Sequence, residues 1–221
     1  MSPDRKNHHI VIVPGLNEPA ARFDGVCAEL AGAGLTPHVF LYPSKEWPID
    51  RAALMLASHV EKEVLHGEQG RSLSVVGFGT GSLVARCYLS HYEVLPARRC
   101  VVIADPRHAT DRYRGRKPGW LGHWRYGPAI AQLAAGPDGM LGRCGNPPVP
   151  YGVIVTGTTP DATADKCDNE AVRDSLYTPP TLLKGARAVI YDATSAQRAA
   201  AERAIQTYIA AFLQHGWFVE A

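Results

Sequence analysis

Six short apolar runs punctuate the chain: His9–Val13, His38–Tyr42, Leu73–Phe78, Cys100–Ala104, Val153–Thr156 and Ala188–Tyr191. Most are rich in Val and Ile, and they are mostly apolar at both odd and even positions. A strand with one wet face alternates apolar and polar residues. Continuous apolar runs mark strands buried on both faces, as in parallel sheets. Between the runs the period changes to that of a helix. Phe23, Val26, Cys27 and Leu30 share a face, with Gly32 and Gly34 to stop it. Ala53, Leu56, Val60 and Val64 form a second stripe before Gly67, and Leu83, Val84, Cys87 and Tyr88 a third before Pro96. Thr194 and Gln197 have capping-box spacing. Ile205, Tyr208, Ile209 and Phe212 then line a last helix.

Strands alternating with helices predict a parallel α/β sheet with right-handed crossovers. About six strands are expected, with helices on both faces, in a single domain over 1–221. The segment from about 105 to 150 breaks the rhythm: it is rich in Gly, Pro, Trp and Arg and has no strand pattern. Such an insertion after a strand reads as a lid or binding segment.

Composition adds boundaries. The chain has 221 residues, 46% hydrophobic and 20% charged. A chain of this size buries roughly 70% of its unfolded surface and needs no disulfide or metal to fold. The net charge of +2 makes it no general polyanion binder, so a nucleic-acid reading has no strong support. The five Cys, at 27, 87, 100, 144 and 167, are never closer than 13 residues. That excludes CxxC and zinc-knuckle spacing and suggests free thiols of a reducing compartment. The polar start and short first apolar run do not resemble a signal peptide, and no run is long enough to span a membrane. A cytoplasmic protein without metal or cofactor is expected.

The most informative stretch is Leu73-Ser-Val-Val-Gly-Phe-Gly-Thr-Gly-Ser-Leu-Val-Ala-Arg-Cys-Tyr-Leu89: a strand, a glycine turn, then a helix. It resembles the nucleophile elbow of lipase-type α/β-hydrolases, Gly-x-Ser-x-Gly. Other segments resemble that family in the same order. Ile10-Val-Ile-Val-Pro-Gly-Leu16 resembles the strand and oxyanion loop, with Pro14 where His is usual. Ile103-Ala-Asp-Pro-Arg-His108 resembles the segment after the next strand. Val153-Ile-Val-Thr-Gly-Thr-Thr-Pro-Asp161 resembles the strand and loop of the triad acid. Leu182 to Phe212 resembles the last strand and helix. The resemblance covers about residues 9 to 213 and implies a minimal α/β-hydrolase fold. It places oxyanion-type backbone donors at Leu16 and Thr80 and the acid at Asp161.

The departures bear on activity. The nucleophile position is Gly79, which has no side chain. The triad His is expected after the last strand, near Asp192 to Ala196, yet no His occurs from 124 to 214. Acyl transfer by this route needs a nucleophile, a base beside it and an acid that orients the base. Loss of any one lowers the rate by about 10⁴–10⁶-fold. The sequence therefore points to a pseudoenzyme that binds a small or lipid-like ligand or a protein partner. An active carboxylic ester hydrolase with altered catalytic residues is the alternative.

Gly77-Phe-Gly79-Thr-Gly81-Ser82 also fits part of a dinucleotide fingerprint, with Ser82 at the third glycine position and Asp105 as the distant acid. This leaves a nucleotide-binding protein as a second alternative. Residues 107–126 carry Arg107, Arg112, Arg114, Arg116, Lys117 and Arg125 interleaved with Tyr113, Trp120, Trp124 and Tyr126. Arg107, His108, Arg112 and Arg114 are the expected anion-binding side chains at the mouth of the cleft.

Overall fold

The computed structural model describes residues 8–65, 71–92, 97–104, 127–129, 132, 143–156, 185–194 and 198–218. The six expected strands are all present: β1 (His8–Val13), β2 (Thr36–Val39), β3 (Ser72–Phe78), β4 (Ala97–Ala104), β5 (Tyr151–Thr156) and β6 (Ala188–Asp192). They form one sheet in the order β2-β1-β3-β4-β5-β6, and every pair is parallel. The helices are α1 (Asp24–Gly32), α2 (Ile49–His59), α3 (Thr80–His91) and α4 (Arg203–His215), and α2 runs on into a looser turn over Val60–Leu65.

Strand periodicity sorts the core into two layers. Val11, Val13, Leu73, Val75, Cys100, Val102, Val153 and Val155 face α2 and α3. Ile10, Ile12, Val76, Phe78, Val101, Ile103 and Ile154 face the other way, with α1 and α4. Both sets are buried, which explains the unbroken apolar runs. The edge strands β2 and β6 are half-buried throughout, as edges are.

Two expectations need correction. The second strand is Thr36–Val39 rather than 38–42: Phe40 still bonds through its N–H to Ile12 O, but the chain then leaves the sheet through Pro43. Thr194 does not open the last helix. Its backbone N–H bonds to Asp192 Oδ1 at 2.7 Å in a tight turn, and α4 begins at Arg203 after a short 3₁₀ turn over Ala199–Ala201.

The strand order creates a reversal. From β1 the chain crosses outward to β2, then returns to β3 on the other side of β1 and continues away. The connections leaving β1 and β3 therefore go to opposite faces of the sheet. In parallel α/β sheets the crevice for a ligand opens at such a point, beyond the strand carboxyl ends.

Candidate functional site: a glycine elbow at the sheet reversal

β3 and α3 are joined by one residue, Gly79, with φ 51° and ψ −120°. L-residues adopt positive φ at a cost, so glycine is at ease here. Its neighbours have a different constraint. A Cβ on Gly77 would lie 2.5 Å from Ser82 Cα, and one on Gly81 would enter the carbonyls of Val13 and Pro14. Both positions exclude any side chain on contact grounds. A Cβ on Gly79, in contrast, meets no described atom within 4 Å. The turn has the architecture that carries a side chain outward at its apex, and its apex residue has none.

The turn is fastened from beneath. Gly79 N–H donates to Ile103 O at 2.8 Å. Ser82 Oγ, fully buried, lies 2.7 Å from Gly77 O and 3.1 Å from Ile103 O. These contacts tie elbow, helix and β4 together and occupy Ser82 in the core.

The loop after β1 stands against the elbow, so close that a Cβ on Gly81 would overlap the Pro14 carbonyl. Gly15 N–H donates to Glu18 Oε2 at 2.7 Å, and Glu18 pairs with Arg22 at 2.9 Å. Tyr42 O–H donates to Pro14 O at 3.2 Å, and Asn17, at φ 57°, donates its N–H to Ser44 Oγ at 2.9 Å. Leu16, half-buried, is held between these anchors, and Thr80 is the first residue of α3 after the elbow. The sequence did not single out Glu18. Its one signal was a carboxylate three residues after Gly15 in a loop.

β5 ends at buried Thr156, in register with Asp192 at the end of β6. Asp161, Asp105, Arg107, His108, Arg112 and Arg114, with most of the segment 105–150, lie outside the described residues. The described histidines stand elsewhere in the fold. His8 and His9 open β1 at the opposite edge of the sheet, and His91 closes α3 at its far end. His9 Nδ1 lies 2.8 Å from His38 Nε2, and His59 packs on Phe40. His215 closes α4.

A Ser–His hydrogen bond does occur: His8 Nε2 lies 2.9 Å from buried Ser74 Oγ. It sits at the amino edge of the sheet. Burial, aided by the positive charge of Arg98 and Arg99, lowers the His8 pKa to about 4. The pair braces β1 against β3.

Among the described residues no group of three or more His, Cys, Asp or Glu could hold a metal ion, and no helix is long and apolar enough to cross a membrane.

No protein-family model matches the chain, and no curated protein matches it in sequence. Solved structures do match. A lipase from Bacillus licheniformis in its mature form aligns with TM-score 0.61 and 17% identity, covering 88% of this chain and 87% of its own. A putative hydrolase from Agrobacterium vitis aligns with TM-score 0.59 and 10% identity, over 95% and 88%. A lipase-esterase related protein from Clostridium acetobutylicum aligns with TM-score 0.55 and 12% identity, over 98% and 96%. At these identities the likeness is one of fold. The chain has a lipase- and esterase-like α/β-hydrolase fold, built on a six-stranded parallel sheet.

Proposed function

We propose that this protein is a non-catalytic member of the α/β-hydrolase fold that binds a small acyl- or carboxylate-bearing ligand at the Gly79 elbow. One observation carries the reading. Gly77 and Gly81 are sterically locked and Gly79 keeps the positive-φ apex, yet the apex has no nucleophile, and no atom of the described residues lies within 4 Å of a Cβ placed there. The amino end of α3 supplies partial positive charge there, which favours an oxyanion or carboxylate. In this reading the backbone N–H groups of Leu16 and Thr80 face the anion. The space vacated at Gly79 takes ligand atoms where a hydrolase has its serine. Asp161 retains the acid position, and Arg107, His108, Arg112 and Arg114 supply charge at the mouth.

Ester hydrolysis would require a base as well as a nucleophile. The stretch after β6, Asp192-Ala-Thr-Ser-Ala196, offers no imidazole. Restoring the serine alone therefore does not restore activity. The test is turnover of a short p-nitrophenyl ester by this protein and its Gly79→Ser variant. Neither is expected to exceed the rate in buffer. Turnover by the unmodified protein would refute the reading. Turnover by Gly79→Ser alone would show that a base is in place and that the enzyme lacks only its nucleophile.

A further inference from the structure

A second concentration of charge lies at the edge of the sheet opposite the elbow. All six strands are parallel, so all enter from this edge. Arg98 and Arg99 open β4, and Arg187 immediately precedes β6. Arg98 and Arg187 are exposed and Arg99 is half-buried. Among the described residues no carboxylate pairs with any of the three.

Arg99 is fixed from one side. Its Nη1 donates to Leu213 O in the last turn of α4. A cation suits the carboxyl end of a helix, so this bond has a structural role. It leaves Nε and Nη2, the adjacent pair with which a guanidinium grips two oxygens side by side. Both lie over Gly216, which ends α4 with φ 84°. A Cβ on Gly216 would stand 3.3 Å from Arg99 Nε, 3.5 Å from Arg99 Nη2 and 3.6 Å from Arg187 Nη1. Apart from residues 215–217, no described atom is nearer to that point. Two guanidinium groups, one from each side of β5, therefore converge on one spot, and glycine leaves it free of a side chain.

Like charges placed in this way repel. Burial, and then the positive charges of Arg98 and Arg187, hold the Arg99 guanidinium below its usual range. The same field reaches His8 at the start of β1. Arginine nonetheless stays protonated, so the strain is relieved by an anion rather than by loss of a proton.

We propose that Arg99 and Arg187, with Arg98 beside them, form a binding site for a phosphate monoester at Gly216. Nε and Nη2 of Arg99 take two phosphate oxygens and Nη1 of Arg187 takes a third. A phosphate offers three strong acceptor oxygens and close to two negative charges. A carboxylate has two oxygens and one charge and leaves one fork unmatched. The site is remote from the Gly79 elbow and stands or falls independently of it.

The test is a titration of the full chain with inorganic phosphate at constant ionic strength, followed by the Gly216 amide and Arg99 Nε–H resonances in ¹H–¹⁵N NMR spectra. Saturable shifts at both are expected. Arg187→Ala should weaken the affinity by about tenfold or more, the loss of a charge-assisted hydrogen bond. Arg51→Ala, on α2, should leave it unchanged. Arg99→Ala also loses the bond to Leu213 O, so Arg187→Ala, at an exposed position, decides the matter. Vesicles of phosphatidylcholine containing phosphatidic acid separate the two sources of the ligand. Sedimentation with them that is lost in Arg187→Ala assigns the site to a lipid headgroup. Phosphate binding without sedimentation assigns it to a soluble phosphate ester. The absence of saturable shifts with phosphate, equal shifts with chloride, or an unchanged affinity in Arg187→Ala would overturn the proposal.

Discussion

Three glycines within five residues look interchangeable in sequence, but the structure assigns them different costs. Alanine at Gly81 would drive its Cβ into the carbonyls of Val13 and Pro14. Those atoms end β1, which is paired with β3 through six residues, and Pro14 O also accepts the Tyr42 hydroxyl. Backbone held in this way cannot turn aside as a flexible side chain can. Overpacking of a core costs ~1–3 kcal/mol and sometimes more, and two carbonyl clashes place Gly81→Ala at about 3 kcal/mol or above. Alanine at Gly79 meets no described atom and bears only the cost of positive φ. That cost is ~1–2 kcal/mol. For a chain of this length each kcal/mol moves Tm by roughly 2–4 °C. Gly79→Ala should therefore lower Tm by about 2–8 °C, and Gly81→Ala by about 6–12 °C or prevent folding. Thermal denaturation followed by circular dichroism measures both shifts, and urea denaturation the free energies, with unchanged slopes certifying comparable unfolded states. Equal losses, or a larger loss at Gly79, would refute the elbow geometry from which the site is built.

Other predictions follow from the same contacts. Ser82→Ala leaves the carbonyls of Gly77 and Ile103 without its hydroxyl, and should cost ~1–3 kcal/mol in denaturant titration without changing ligand affinity. His8 binds its proton more weakly folded, at about 4, than the usual 6.5. As pH falls through 6.5 the unfolded chain takes up a proton that the folded chain refuses. Stability is therefore fully present above 6.5 and is lost progressively toward pH 4. His8→Asn should flatten that part of the stability–pH curve, and an unchanged slope would show that His8 is not its source. A short fatty acid at 100 times its Kd should stabilise the protein by about 2.7 kcal/mol in a thermal-shift assay. Gly79→Phe, which would place a ring where the proposed ligand sits, should abolish that shift. Persistence of the shift would place the ligand elsewhere.

The fold was legible because its signals are local. Buried parallel strands wrote themselves as apolar runs, and the elbow as strand, glycines and helix. The errors fell where a local signal competes with tertiary pairing. Leu41 and Tyr42 continue an apolar run, but β1 has no residue left to pair with them before its loop begins at Pro14. Thr194 and Gln197 have the spacing of a capping box, but the Asp192 carboxylate takes the Thr194 N–H first. The apex position of Gly79 was legible, whereas the asymmetry among Gly77, Gly79 and Gly81 was not, because it depends on β1 passing beneath Gly81.

The central claim is that the fold is kept while the chemistry is gone, and covalent labelling tests it most directly. A fluorophosphonate reacts with a serine only when a neighbouring base activates it, and intact mass detects a single adduct. The account predicts no adduct on this protein and none on its Gly79→Ser variant. One stoichiometric adduct on a serine of the unmodified chain would contradict it.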